Sequence, residues 1–476
     1  MKIHVSIPPD KTLYRVLREK GLIKSAYCGG RGICGKCTVK ISGKDVISCL
    51  FWGPFEGEVE IAEENLIYTG EPLPDILPSS ETGIGVALDV GTTGIETAAF
   101  DLNTGKFIKR LKTLNLQSVF GADIVTRVEQ GAKGFYSKER ELLLKSIKLI
   151  LKEFNTKISK VIAVSNPVIH HFLLNLPVKS FEAHPFSPIV SDTVIKTGKE
   201  LGVEGFENTT FIFPPLIGGF VGSDFLSNVL AIKKEGIDSF LIADLGTNAE
   251  MGLITEDTFL ASSVPAGPAF EGVGLFSGMR AVEGAIYKVF FDGRSFRFLT
   301  IGNKKPAGLC ASAYFDLIHL LKSFKVLNRE GTFTDNLPPL INNYIETIEG
   351  EKAFVLYKDE DSLIALTQSD VRKFLLAKGA IYGGLYALTN GRKIPDYLFF
   401  SGDFGSHLDS RSIKGLKVIP ENLPVPIPKG NLALKGASLL LTGNLEEAEK
   451  IKEKATVLDL ATDKAFEKGY IEGLEI

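Results

Sequence analysis

Two distant stretches of this chain carry the same local pattern. Val86-Ala-Leu-Asp89-Val-Gly91-Thr92-Thr93-Gly94 leads into an apolar strand, Ile95 to Phe100. Leu241-Ile-Ala-Asp244-Leu-Gly246-Thr247-Asn248 leads into another, Ala249 to Ile254. Each reads as strand, D-x-G-T turn, strand. A second pair follows in the same order: Val161-Ile-Ala-Val-Ser165-Asn-Pro before His170–Asn175, and Leu398-Phe-Phe-Ser401-Gly402-Asp403-Phe404-Gly405 before a helix-like start. A repeat on this scale restricts the fold more than composition does, because each half must close its own sheet and helices. The expectation is a duplication that yields two α/β lobes.

The turns point to phosphate. A tight turn at the end of a buried strand aims backbone N–H groups at whatever lies above it. Gly91 and Gly246 let that backbone approach phosphate oxygens closely, and Thr92, Thr93 and Thr247 add hydroxyls. Gly94 and Asn248 complete the two turns. Asp89 and Asp244 would end their strands at one cleft, where carboxylates commonly bind Mg2+ through its retained waters. They are the catalytic candidates, with Glu250, just past the second turn, to orient a water. Two such hairpins would grip the β- and γ-phosphates of ATP from both lobes, so that closure follows nucleotide state. The later S-G-D-F-G turn adds Gly402 and Gly405 as nucleotide contacts. No G-x-x-x-x-G-K-[ST] P-loop occurs, and Gly272-Val-Gly274-Leu-Phe-Ser-Gly278 has one residue too many for a dinucleotide fingerprint.

The other strong signal lies near the N-terminus. Cys28, Cys34, Cys37 and Cys49 form C-x5-C-x2-C with a fourth Cys after eleven residues, and they are four of the chain's five cysteines. Thiolates grouped this way bind a soft metal or an iron–sulfur cluster. Gly29, Gly30, Gly32 and Gly35 let the backbone curl around the group. A [2Fe-2S] cluster is the favoured reading, and the first interval resembles the vertebrate-type ferredoxins. Structural zinc and a Cys34/Cys37 redox dithiol compete with it. A zinc ribbon wants two knuckles separated by a hairpin, and a dithiol leaves Cys28 and Cys49 unexplained.

Around these motifs the chain divides into four parts. Residues 1–65 read as a β-grasp ferredoxin, with strands at Met1–Ile7, Thr38–Ile41, Val46–Ser48 and Glu58–Ile61 and a helix over Thr12–Leu22. Residues 66–83 hold Pro72, Pro74 and Pro78 and read as an extended linker that lets the ferredoxin change position; a packed loop is the alternative. Residues 84–235 and 236–476 are the lobes, so the whole is a mixture of α/β and α+β domains. A net charge of −3 leaves no basic footprint for nucleic acid. No apolar run approaches the ~18 residues of a membrane span. MKIHVSIPPD reads as a strand rather than a signal peptide. Cysteines committed to a cluster suit a reducing cytoplasm.

On these residues, the stretch from Gly83 onward resembles the sugar-kinase, heat-shock-protein and actin superfamily, whose ATPase lobes are RNase H-like. Asp89–Gly94 corresponds there to the phosphate-1 motif, Asp244–Asn248 to phosphate-2 and Ser401–Gly405 to the adenosine motif. Fusion to a [2Fe-2S] ferredoxin narrows the resemblance to reductive activators of corrinoid-dependent enzymes. SNPVIHHFLLNL from Ser165, PPLIGGFVGSD from Pro214, PAGPAFEGVGLFSGMRAVEGAI from Pro265 and GNLALKGA from Gly430 are similar to that family. The resemblance implies an ATP hydrolase that passes one electron to a Co(II) corrinoid methyl-transfer protein and regenerates Co(I). It implies Mg2+ and an external reductase or ferredoxin as donor, and leaves a homodimer open. A low-potential donor to another acceptor is the alternative function. Two features depart from the family: a linker replaces an extra small domain, and Asp403 stands in a turn that is usually made of small residues.

Other residues are weighed against plain roles. Cys310 reads as a small buried hydrophobe and His170 and His171 as non-ligating. Asp224 suits a helix cap or a cleft carboxylate equally. Leu142–Phe154 reads as a helix packed on its sheet. Glu271, Arg280 and Glu283 are candidates for contact with nucleotide or partner.

Overall fold

The computed structural model describes residues 2–20, 22, 37–61, 68–121, 123–272, 274–335, 337–360, 362–402 and 408–476. Cys28, Cys34, Asp403 and Gly405 lie outside them. At the N-terminus, β1 (Lys2–Ile7), β2 (Thr38–Ile41), β3 (Lys44–Ile47) and β4 (Phe55–Glu60) form an antiparallel sheet in the order β1-β4-β2-β3. Alternation in β1 sends Val5 and Ile7 to one face, where they meet Leu13, Val16 and Leu17 of helix α1 (Leu13–Glu19). Thr12 caps that helix by accepting from the Arg15 N–H. Cys37 and Cys49 belong to the same core. Arg18 Nε donates to the Val119 carbonyl and ties this unit to the next.

The expected linker over 66–83 is corrected by the structure: its described part, residues 68–83, is a packed strap. Strand β5 (Tyr68–Thr69) pairs with the edge of the first lobe's sheet. Asp75 accepts from the Phe107 N–H, the Ile76 N–H donates to the Gly105 carbonyl, and Ile76 itself is buried. Three prolines stiffen a segment that binds a surface as readily as they stiffen a tether, and composition does not separate the two.

The first lobe is a seven-stranded sheet built from β5, β6 (Ile84–Val90), β7 (Gly94–Asp101), β8 (Phe107–Leu114), β9 (Ile158–Ser165), β10 (Val194–Thr197) and β11 (Thr210–Phe213). The second lobe's main sheet uses β12 (Phe240–Leu245), β13 (Ala249–Ile254) and β14 (Phe259–Val264). After two small sheets, β15–β17 (residues 285–309) and β18–β20 (residues 345–367), it adds β21 (Leu398–Ser401), β22 (Ile427–Pro428) and β23 (Thr456–Val457). The orders β11-β9-β6-β7-β8 and β22-β21-β12-β13-β14 are one topology used twice: an antiparallel trio with parallel strands added beside its first member. This is the duplicated fold that the repeat required.

Helices fill three layers. On the outer face of the first sheet lie α2 (Ile124–Gln130), α3 (Tyr136–Lys152) and α4 (Pro167–Leu174), with Leu143, Ile147 and Ile150 of α3 in the core. Between the two sheets run α5 (Ser223–Lys233) and, from the far end of the chain, α8 (Leu432–Leu440). Both read as apolar on nearly every side because a sheet lies on either side of them. They cross so closely that a Cβ on Gly436 would lie 2.0 Å from the Ser227 carbonyl oxygen. Helices α6 (Ala311–Ser323) and α7 (Gln368–Thr389) cover the outer face of the second lobe. The central pair carries residues from both halves to the cleft.

Candidate functional site

Both D-x-G-T turns open onto one cavity of about 580 Å³. Gly91, Thr92, Thr93 and Gly94 line it from the first lobe, and Gly246, Thr247, Asn248 and Gly402 from the second. The ladder sets Asp89 opposite Glu96 and Asp244 opposite Glu250, so each hairpin presents a carboxylate pair on one face. Asp224, from the first turn of α5, joins them. Of the two roles weighed for it, the structure supports the cleft carboxylate: the N-cap of α5 is Gly222, without a side-chain cap, and Asp224 lines the cavity while its Oδ1 accepts from the Phe225 N–H at 2.8 Å.

Five carboxylates in one enclosure need compensation, and they receive it unequally. Glu96 accepts from Arg110 at 2.6 Å and from Lys112 at 2.7 Å. Asp89 Oδ2 accepts from Asn431 Nδ2 at 2.8 Å, and Asp244 Oδ2 from Asn228 Nδ2 at 2.5 Å. Glu250 accepts the Ser263 hydroxyl at 3.1 Å. Burial, reinforced by neighbouring acids, holds Asp89 and Glu250 well above the usual carboxylate range and pushes Asp224 up to about 7. Such a site favours a cation that restores the ionised forms. Among the described residues no three such side chains are spaced to grip an ion directly. The donor set, hard oxygens at a distance, fits Mg2+ held through its waters.

Backbone and amide contacts register the elements to one another. The Asn228 side chain bridges Asp244 to the Ser401 hydroxyl, which donates to Asn228 Oδ1 at 3.2 Å. The Gly430 carbonyl accepts from Gly402 N and from the Ser401 hydroxyl. Gly402 has φ +89, and a Cβ there would stand 2.9 Å from Asp244 Oδ1, so only glycine fits. Arg280 lines the cavity, whereas exposed Glu283 does not. Cys310, also on the wall, is buried with Met279 and Ala285. His171 donates from Nδ1 to the Pro167 carbonyl and accepts from the Ile189 N–H at Nε2, a structural role. His170, its buried neighbour, packs edge-on against Phe213, and burial pushes its imidazole down to about 3.

Sequence reasoning placed the Asp, Gly and Thr residues of the turns and missed Glu96, Asn228 and Asn431. An acid on the strand after each turn was the available signal for Glu96. Nothing local marks the two asparagines.

At the N-terminal unit, Cys37 Sγ and Cys49 Sγ lie 3.3 Å apart and buried. That is far beyond a ~2.05 Å disulfide. It is close to the roughly 3.7 Å that separates two thiolates sharing one tetrahedral metal with ~2.3 Å bonds. The pair therefore fits half of a cysteine-ligated cluster.

A cysteine-bearing module ahead of a duplicated, actin- and sugar-kinase-like fold with an acidic cleft between its lobes defines a ferredoxin-linked class of that fold. Comparison with known proteins makes the assignment specific. Residues 238–476 match the C-terminal ASKHA domain of RACo, residues 84–235 the RACo middle region, and residues 1–66 the 2Fe-2S iron-sulfur cluster binding domain. The chain belongs to the RACo family of reductive activators of corrinoid-dependent enzymes. It is 29% identical over 434 residues to the corrinoid activation enzyme RamQ of Eubacterium limosum, covering 86% of this chain and 73% of that one. It is 26% identical over 426 residues to the [Co(II) methylated amine-specific corrinoid protein] reductase of Methanosarcina barkeri, covering 81% and 76%. A solved reductive activator for corrinoid, iron-sulfur protein shares the fold, with a TM-score of 0.75, 22% identity and coverage of 99% and 96%. No described helix is long and apolar enough to cross a membrane.

Proposed function

We propose that this protein is an ATP-dependent reductive activator, which passes one electron to the Co(II) form of a corrinoid methyl-transfer protein and regenerates Co(I). The observation that carries the reading is the convergence of both D-x-G-T hairpins and their buried acids on one cavity between the lobes. Residues 1–65 form the electron-carrying module in this reading, 84–235 and 236–476 the two lobes, and 68–83 a strap on the first. Cys28, Cys34, Cys37 and Cys49 would hold a [2Fe-2S] cluster, which would supply one-electron transfer, with an external reductase or ferredoxin as the donor.

The chain's own groups do the rest. The turns at Gly91–Gly94 and Gly246–Asn248 bind phosphate oxygens through backbone N–H groups. Asp89 and Asp244 would hold Mg2+ through its waters, and the ion would supply charge neutralisation to the phosphates. Glu250 accepts a proton from the attacking water in its ionised form, and burial makes that carboxylate the stronger base. ATP and water become ADP and phosphate. Because the cleft lies between the lobes, that change alters their closure and with it the surface offered to the corrinoid protein. Each ~59 mV by which the donor falls short of the cobalt couple needs about 1.4 kcal/mol from this cycle.

The test is anaerobic. Reduced protein is mixed with a Co(II) corrinoid methyl-transfer protein, and Co(I) absorbance is followed with and without Mg-ATP. Co(I) that appears only with ATP, and is lost in Cys34→Ser, is the expected result. Co(I) formed equally well without ATP would overturn the coupling.

A further inference from the structure

The first phosphate turn is held from behind by two buried side chains that the proposed reaction does not touch. Asn115 Nδ2 donates to the Gly91 carbonyl at 3.0 Å, and the Asn115 backbone N–H donates to the Thr93 carbonyl at 3.0 Å. Arg127 Nη2 donates to the carbonyl between them, that of Thr92. Every carbonyl from Gly91 to Thr93 thereby accepts from a residue that does not line the cleft. The peptide unit is planar and trans, so each N–H points opposite to the carbonyl of the same unit. With the Gly91 and Thr92 carbonyls engaged there, the Thr92 and Thr93 N–H groups are directed the opposite way, and Thr92 and Thr93 both line the cavity.

This bracing is costly to build. Arg127 and Asn115 are wholly buried. The Arg127 guanidinium also donates to the Gly121 carbonyl at 3.1 Å and to Gln117 Oε1 at 3.3 Å. Arg127 also acts on the buried carboxyl of Glu139, whose proton affinity it lowers. Its planar fork of donors reaches the turn at the same time. A turn with glycine at either end, Gly91 and Gly94, has soft peptide planes, and a flipped plane would present a carbonyl to a phosphate. We propose that Arg127 and Asn115 are positioning residues that lock the Gly91–Thr93 turn with its N–H groups facing the phosphates of the nucleotide. This rests on the ATP reading above and adds residues to it that lie outside every motif of the sequence.

Equilibrium dialysis of the holoprotein with labelled Mg-ATP and labelled adenosine tests it, on the wild type and on Arg127→Gln, Arg127→Lys and Asn115→Ala. Wild type that fails to bind Mg-ATP would overturn the ATP reading itself, which separates that failure from the present one. With binding established, Arg127→Gln is expected to weaken Mg-ATP by roughly 10- to 100-fold, as the loss of a charge-assisted contact predicts. Adenosine, which has no phosphates, is expected to bind within about twofold of wild type, and Arg127→Lys to recover part of the loss because it retains a donor. Mg-ATP affinity unchanged in Arg127→Gln, or falling in step with adenosine, overturns the proposal. Should Arg127→Gln lose its thermal transition or cluster absorbance, Asn115→Ala decides by the same criterion.

Discussion

Asp89 and Asp244 hold equivalent places in two hairpins of one topology, and the surroundings have made those hairpins different. Glu96, across the ladder from Asp89, is matched by Arg110 and Lys112. Glu250, across from Asp244, has the Ser263 hydroxyl. The first turn's carbonyls are taken by Asn115 and Arg127, from outside the hairpin. In the second, the Thr247 carbonyl accepts the Gly267 N–H and the Asn248 carbonyl accepts the Gly246 N–H, all backbone of the same lobe. A duplicated motif has in this way become a charge-matched turn held by buried side chains in one half and, in the other, a turn held by backbone N–H groups beside an acid that has only a hydroxyl. We assign phosphate holding mainly to the first and water activation to the second.

Substitutions that treat the halves alike test this division. Glu250→Gln is expected to lower ATP turnover about 100-fold or more, the range for loss of a general base, with Mg-ATP affinity retained. Glu96→Gln is expected to cost less than about 10-fold in turnover, because that glutamate is neutralised by its own lobe. Equal losses in phosphate-release assays would erase the distinction. The two asparagines come next: Asn431→Ala and Asn228→Ala each remove a donor from an enclosed carboxylate. About 1–3 kcal/mol of unfolding free energy is expected from each, read from denaturant midpoints. A neutral Asn431→Ala would show that the contact joining Asp89 to the start of α8 contributes nothing to the join between the lobes.

The two lobes also differ in pH dependence, and the signs oppose. Burial raises Glu139, in the first lobe, from 4.5 to about 8, partly offset by Arg127. The folded chain then keeps a proton between those values that the unfolded chain has released, so this group's contribution to stability falls as pH rises from 4.5 to 8. Burial lowers Lys378, in the second lobe, from 10.5 to about 7, with its ammonium nitrogen directed at the Lys417 and Glu475 carbonyls. There the unfolded chain holds the extra proton, and stability rises with pH from 7 to 10.5. Glu139→Gln and Lys378→Met should each flatten one slope in unfolding midpoints taken at several pH values. A slope unchanged by its substitution would mean that the group titrates normally.

The residues that mark the site were legible for a simple reason. A D-x-G-T turn is local: the strand, the glycine and the hydroxyls lie within a few residues, and the repeat of the pattern announces the second lobe. The strands of the N-terminal unit were legible by alternation, with β4 starting three residues earlier, at Phe55, than expected. The strap was misread because proline reports stiffness and says nothing of what lies alongside; Ile76 and Asp75 bind partners from the loop and strand near residue 105.

The sequence by itself determined the two lobes, the turns, the cysteine set and, through them, the family, since all of these are written in short-range patterns. Only the tertiary structure decided which acids are neutralised and which amide holds which carboxylate. It also decided what stands behind each turn. Asn431 and Asp89 are 342 residues apart and meet at 2.8 Å. That contact exists because α8, from the end of the chain, is buried between the two sheets, and no periodicity in the sequence encodes which sheet edge its first residue will reach.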